Sequence, residues 1–449
     1  MTEQGEWRDY VVDKVRDETD KIVEAFAAAD PPRTIAVATR DGGLDFMYSV
    51  GEILIREDHV DRALETLEQP PRRELPDDRF ETIIDGVTLF KLGEGPFSLV
   101  PDALEQIDRE LGAGIATPNH VLTVATGQGG GCSATEPEPV YYEMDPFPSV
   151  CPDGGAGVLI YMADTGLLAD AATHTWLKYG VRMGNPAEDV DPLQAGPPEI
   201  QACTGHGTFG AGVLRCMAPD AQIIMTRALS NCGSTVESDL VPVLESALSL
   251  GADIFHLTIA CLSRNDQPLI GFEVWLDHVR RSGAICLAPA GNCGFARPEY
   301  PAGFPEVIAV GALGSDWRGR ATFSNFGPWV DVYAPGRDIV NAFATGSYEC
   351  YVYPYGPHDG QPGQTRNFYG MAKWSGTSFS TPIVTGLIAA RMSRTGETAR
   401  RSAAALLAEA REHAIPGVGP VLLPHCGGHH EPGHREECCC GHRHRHDRC

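Results

Sequence analysis

The chain reads as an α/β protein, a doubly wound and mostly parallel sheet with helices on both faces, preceded by a small α+β domain. Three observations carry this reading. From about residue 156 onward, strongly apolar strand-like runs alternate with helical segments, the pattern of a parallel sheet covered on both sides. Before about residue 126, shorter elements alternate with two amphipathic helices, which suits helices laid on one face of a small sheet. Between the two lies a stretch rich in glycine and proline that denies regular structure.

Bulk properties agree. At 449 residues the chain exceeds what one hydrophobic core usually supports, and 43% hydrophobic with 21% charged residues is ordinary for a globular protein. Thirty-five Lys and Arg against 60 Asp and Glu give a formal charge of −25, which repels a phosphate backbone, so nucleic acid is not expected as a partner. The N-terminal "MTEQGEWRDYVVDKVRDETDKIVEAF" is acidic where a secretory signal has a basic start and an apolar centre, and no run approaches eighteen apolar residues. A cytoplasmic protein without a membrane span is therefore expected, with secretion by an unrecognised route left open. Of the fourteen cysteines, five crowd into the last 25 residues and none precedes Cys132. Buried free thiols are the simple reading of those in the middle, and disulfides stay unassigned.

In order, residues 8 to 28 predict an amphipathic helix closed by "ADPP", within an N-terminal segment 1–33. Over 34–126, "VGEILIR" predicts a strand, "HVDRALETLEQ" a helix, "ETIIDGVTLFKL" a strand or hairpin, "VPDALEQIDRELG" a second helix and "NHVLTVA" a closing strand. The pattern is that of ferredoxin-like domains. Residues 127–155 predict a flexible linker. In the second domain, 156–415, the strands are "GVLIYMADTG", "AQIIMTRAL", "ADIFHLTIA", "GAICLAPAG" and "VIAVGAL", and the helices include "ESDLVPVLESALSLG" and "FEVWLDHVRRSG". A buried helix begins in "KWSGTSFSTPIVTGLIAAR", where Pro382 fits a first turn and glycine and hydroxyls sit at the mouth, and "RSAAALLAEAREHA" predicts the helix that closes the domain. Residues 416–449 form a low-complexity tail with no apolar periodicity.

Functional groups in such sheets gather at the carboxyl ends of the strands, and three polar stretches sit there or at a helix start. Asp164 closes "VLIYMADTG", His206 lies among glycines in "TGHGTFGAGVL", and Ser378 lies at the mouth of the helix that begins in "SGTSFSTP". Singly each has a plainer reading: a solvated acid, a structural histidine, a helix cap. Together they suit one mechanism. A serine hydroxyl becomes a strong nucleophile when an imidazole accepts its proton, and the imidazole needs a carboxylate to fix its tautomer. Asn292, at the strand end "LAPAGNCG", offers an amide for a developing oxyanion, and the Ser378 backbone N–H offers a second donor.

The blocks "YMADTG", "GHGTFGAG", "APAGN" and "SGTSFSTP", in this order and spacing, resemble the signature blocks of the subtilisin-like serine proteases, the subtilases, over residues 153 to 395. The resemblance implies a serine endopeptidase with an acyl-enzyme intermediate: Asp164 as orienting acid, His206 as general base and then acid, Ser378 as nucleophile and Asn292 as oxyanion donor. It implies a polypeptide substrate lying along Thr258, Ile259 and Ala260 on one wall and Ala288, Pro289, Ala290 and Gly291 on the other. It also gives residues 34–126 a role as a prodomain that inhibits the enzyme in cis, the alternative being a recognition or scaffold domain.

Some positions depart from the family pattern. Phe209 replaces a second histidine outside the triad, and Ala260 and Cys261 fall where glycines are usual. The resemblance implies no required cofactor; calcium stays open, although the loop that carries it in many secreted members is missing between His206 and "MAPDAQI", and any zinc at the tail would be adventitious. An insertion from Tyr348 to Asn367 is either a lid or a surface excursion. The tail offers His429, His430, His434, Cys438, Cys439 and Cys440 as zinc-type ligands, without the paired spacing of a dedicated site. The contrasting function is a catalytically silent peptide-binding protein, or a metal-responsive interaction protein, on the same fold.

Overall fold

The computed structural model describes residues 19–41, 43–68, 78–93, 96, 99–124, 134–140, 144–350 and 363–424. Residues 19–27 form helix α1, whose Ile22 packs with Ile35, Met47, Val121 and Val236. Strands β1 (Ile35–Arg40) and β2 (Gly43–Arg56) pair antiparallel. They are followed by α2 (Val60–Leu67), the hairpin β3 (Phe80–Ile84) and β4 (Val87–Lys91), α3 (Leu99–Leu111) and β5 (Ala116–Val124). The sheet runs β5-β2-β4-β3, with β1 on β2. Ala63, Leu67, Ala103, Leu104 and Ile107 of the two helices close a core with Ile53, Ile55 and Phe90 of the sheet. The helices present apolar residues at helical spacing, so one face of each is withdrawn from water.

The glycine- and proline-rich segment differs from the flexible linker its composition predicts. Residues 127–133 lie outside the described residues, but the parts that follow are seated on the second domain. Ala134 donates its N–H to the Ser375 carbonyl at 3.0 Å. Strand β6 (Glu138–Pro139) pairs with β17 (Thr365–Trp374), Phe147 bridges to Val340, and Cys151 is buried and disulfide-bonded. Proline removes a donor but leaves a carbonyl, and Val140 and Phe147 find apolar neighbours in Val340, Met371 and Trp176.

The second domain is built on seven strands in the order β15-β14-β13-β11-β7-β9-β8. They are β7 (Leu159–Asp164), β8 (Val181–Met183), β9 (Gln222–Arg227), β11 (Ile254–Leu257), β13 (Ile285–Pro289), β14 (Val307–Leu313) and β15 (Val332–Pro335). Every pair in this sheet is parallel. Helices α4 (His206–Met217) and α7 (Thr377–Thr395) cover one face, with α8 (Ala399–Glu412) packed behind α7. Helices α5 (Glu237–Ala247) and α6 (Ile270–Ser282) cover the other. Helices α4 and α7 approach so closely that a Cβ on Gly386 would lie 2.5 Å from the Met217 Cβ. Two short strands stand apart from the central sheet, β10 (Ser234–Val236) and β12 (Ile259–Ala260). The expected insertion before α7 is the far end of a hairpin, β16 (Ile339–Glu349) with β17, and residues 351–362 at its tip lie outside the described residues. Among the described residues no helix is long and apolar enough to cross a membrane.

The domains meet along β5. Its first half pairs with β2; its second half pairs antiparallel with β10, Thr123 opposite Ser234 and Val121 opposite Val236, and with β12, Val124 opposite Ile259 and Thr123 opposite Ala260. Leu122 and Val124 enter the core of the second domain beside Leu240, Leu257 and Ile259. Asn119 accepts the Ser238 N–H at 3.0 Å and donates to the Ser238 hydroxyl at 2.8 Å. Ion pairs Arg33–Asp239 (2.9 Å), Arg264–Asp108 (2.8 Å), Arg56–Glu273 (2.6 Å) and Arg297–Asp45 (2.8 Å) ring the contact.

Candidate active site

The chemistry-bearing residues gather where the central strands end. Asp164 is the last residue of β7, His206 the first of α4, and Ser378 the second of α7; all three have 0% relative exposure. The apolar run of β7 fixes its register in the sheet, and the polar residue that ends it is delivered to the carboxyl edge. His206 Nδ1 lies 2.9 Å and 3.0 Å from the two Asp164 carboxylate oxygens. Such a contact holds the ring in one orientation and directs Nε2 away from the carboxylate. Burial pushes the Asp164 pKa up, but the His206 charge and hydrogen bond outweigh it, joined by the Thr165 N–H at 2.6 Å and the Thr258 hydroxyl. The carboxyl is held below its usual range.

His206 Nε2 is buried and accepts or donates no hydrogen bond. The hydrogen bond expected between Ser378 and His206 is therefore not made here; such bonds commonly tighten only around substrate. The imidazole is walled by aromatic rings, with Trp374 at 5.6 Å edge-on and Phe379 at 5.2 Å between centroids. Phe209, where the family pattern has a histidine, packs on Phe379 at 4.4 Å and on Trp374 at 5.7 Å. It fills the wall with carbon. Gly207 is required by the close approach of the two loops, since a Cβ there would lie 2.4 Å from the Gly166 carbonyl oxygen.

Helix α7 opens at Gly376, and Pro382 lies one turn deeper than the first-turn position the sequence predicts. Its missing N–H falls opposite the Ser378 carbonyl, so that carbonyl has no i+4 donor from the helix. Thr377 N–H and hydroxyl both donate to Asn292 Oδ1, at 2.8 and 2.9 Å. This fixes the Asn292 side chain by its carbonyl end and turns the NH2 end away from Thr377. The Thr377 hydroxyl also accepts the Gly291 N–H at 3.2 Å. Thr258 lies beneath the site, donating to the Ala163 carbonyl at 3.1 Å. Ile259 and Ala260 form β12, and Ala288 and Pro289 end β13, with Ala290 and Gly291 continuing to Asn292.

Asp191 belongs to the site, and its setting, "EDVDPLQ", marks it as only one acid among several. Its Oδ2 accepts the Thr165 hydroxyl at 2.9 Å and the Gly205 N–H at 2.7 Å. Burial pushes its pKa up to about 7, partly opposed by those two hydrogen bonds. Among the described residues no group of three or more His, Cys, Asp or Glu is arranged to hold a metal. The tail candidates His429, His430, His434, Cys438, Cys439 and Cys440 lie outside the described residues.

Comparison with known proteins agrees with this geometry. The thermophilic serine proteinase of Bacillus sp. (strain AK1) is 32% identical over 248 residues, which cover 53% of this chain and 52% of that protein. Thermitase of Thermoactinomyces vulgaris is 28% identical over 275 residues, 59% of this chain and 84% of that protein. M-protease of Shouchella clausii (strain KSM-K16) is 28% identical over 244 residues, 52% and 54% of the two chains. The chain spans about half the length of several of these curated relatives. Residues 155–419, which contain the parallel sheet, the Asp164–His206 pair and the Ser378 helix, match the family model described as the Subtilase family. On that match, covering more than half of its length, the chain belongs to the subtilase family.

Proposed function

We propose that this protein is a serine endopeptidase made as a self-inhibited precursor. Ser378 Oγ attacks the peptide carbonyl carbon and passes its proton to His206 Nε2, while Asp164 at Nδ1 stabilises the imidazolium. The oxyanion so formed takes hydrogen bonds from the Asn292 amide and the Ser378 N–H. Collapse expels the amine, which carries the proton from His206, and leaves an ester on Ser378. Water then hydrolyses the ester by the same steps in reverse, with His206 again as base and then acid. The observation that carries the reading is the buried Asp164–His206 pair at 2.9 Å at the foot of the helix that bears Ser378. A fluorophosphonate probe should label the wild-type chain once it has been processed between Val124 and Ala134, and fail to label Ser378→Ala cut at the same place, because labelling requires an activated serine. No labelling of either would favour the silent peptide-binding alternative.

Residues 34–126 act as the inhibitor in this reading, as a ferredoxin-like prodomain whose last strand, β5, lies where a substrate would. Its support is the pairing of Val124 with Ile259 and Thr123 with Ala260, on the wall expected to hold substrate. An extended segment added between two short strands is a recurring mode of peptide recognition. Val124 lies on that wall and Ala134 on Ser375, three residues before the nucleophile. Hydrolysis between Val124 and Ala134 would separate the two domains. The substrate is polypeptide, and the chemistry requires no cofactor.

A further inference from the structure

One buried carboxylate has no part in the mechanism above. Glu299 is 4% exposed and lies between the two walls of the cleft. Its neighbour Tyr300 is tied to Cys261, at the end of the first wall, by two backbone hydrogen bonds of 2.8 Å. Its carboxylate reaches the second wall: Oε1 accepts the Asn325 amide at 2.9 Å, and that amide also donates to the Ala290 carbonyl at 2.8 Å. Oε2 lies 2.5 Å from where a Cβ on Gly291 would stand. Gly291, at φ +101°, immediately precedes Asn292. The carboxylate thus forms the floor between the walls, one residue from the proposed oxyanion donor.

Its partners leave it uncompensated. Besides Asn325, Oε1 takes the Cys293 thiol at 3.5 Å, and among the described residues no ion pair includes Glu299, the nearby Arg297 pairing instead with Asp45 and Asp266. Burial raises its pKa to about 7, partly opposed by Asn325, Cys293 and the more distant Arg297. A buried carboxylate without a counter-charge is costly, and proteins keep such groups where a ligand supplies the missing charge.

We infer that Glu299 makes the peptidase selective for substrates with lysine or arginine at the residue whose carbonyl is attacked, by receiving the cationic end of that side chain at the floor of the cleft. The inference rests on the peptidase reading above. A side chain entering between Ile259–Ala260 and Ala288–Gly291 is lined by carbon along its stem and meets the carboxylate at its tip. This suits an aliphatic chain ending in a cation.

The test uses the full chain after incubation that lets it be processed between Val124 and Ala134, with fluorogenic peptides that differ only in having Lys, Arg, Leu or Phe at that position, and with fluorophosphonate labelling of Ser378 run in parallel. The expected result is kcat/KM for Lys or Arg at least about tenfold above Leu and Phe. In Glu299→Gln, an isostere that keeps the Asn325 contact, the ratio of basic to neutral substrates should fall at least about tenfold. A labelled enzyme with no basic preference overturns the inference and leaves the peptidase reading standing. So does a Glu299→Gln variant, folded by its melting curve, whose ratio is unchanged. A chain that is not labelled removes the peptidase reading and this inference with it.

Discussion

Asp191 and Thr165 are joined by a hydrogen bond of 2.9 Å that ties the loop after Asp164 to the loop before His206. Thr165 follows Asp164 and its hydroxyl accepts the Gly207 N–H at 3.1 Å, while the same Asp191 oxygen holds Gly205. The residues on both sides of His206 are thus pinned to the residue after its acid. Asp191 touches no reacting atom, so it is a positioning residue. Asp191→Ala should lower kcat by about 10- to 100-fold with a smaller change in KM. Asp191→Asn, which keeps an acceptor for Thr165 and Gly205, should recover most of the loss. Equal effects of Ala and Asn on kcat and on melting temperature would mean a purely structural role.

Removing any member of the triad should be severe. Ser378→Ala and His206→Ala are each expected to lose several orders of magnitude in kcat while the protein stays folded, and Asp164→Asn somewhat less, because the three act as a unit. Steady-state kinetics with a melting curve for each variant checks this; most activity surviving in either alanine variant would refute the mechanism.

Asn292→Ala should reduce turnover roughly 100- to 1,000-fold with little change in substrate binding, since the amide acts on charge that develops in the transition state. Its Oδ1 also anchors Thr377, so the folded state of the variant has to be measured beside kcat. Unchanged turnover would remove Asn292 from the oxyanion site.

His256 sets a pH dependence of stability. It lies on β11 beneath α7, with Nδ1 2.9 Å from the Thr385 hydroxyl, and burial lowers its pKa to about 4. The folded pKa is therefore below the unfolded value of about 6.5, and the unfolded chain takes up the proton first as pH falls. Stability is lost as pH drops from about 6.5 to about 4, by up to about 3 kcal/mol from this group. Denaturant curves at pH 7 and pH 4 should differ less for His256→Asn than for wild type; equal differences would show that other groups dominate the acid limb.

The N-terminal domain, residues 1 to about 126, should inhibit the processed enzyme when added in trans. Asn119→Ala, which removes the Ser238 contacts, should weaken that inhibition. A domain that neither binds nor inhibits would favour the recognition or scaffold alternative.

What was legible in the sequence followed from periodicity and punctuation. The apolar run of β7 stops at Asp164, and glycines surround His206, so strand end and helix start could be read directly. Strand β1 and the first half of β2, "GLDFMYS", mix small and polar residues and carry too weak an alternation to be seen. The β16–β17 hairpin reads as an irregular insertion because the sequence between its strands, "YVYPYGPHDGQP", is rich in tyrosine, proline and glycine. Asp191 and Glu299 had no local signal at all. Each is an acid in a loop, and only the fold brings one to Thr165 and the other between Cys261 and Gly291.

Strands β10 and β12 pair with no strand but β5 among the described residues. Three and two residues long, they are edges that cannot hold a ladder unaided. While β5 is in place, the amides bonded across it are shielded and should exchange slowly with deuterium. Were the N-terminal domain removed, both rims of the cleft would become exposed edges, and exchange at Ser234–Val236 and Ile259–Ala260 should rise toward that of open loops. An extended peptide bound between them would restore the slow rate. The same two stretches therefore report, amide by amide, whether the cleft is filled and by what length of chain.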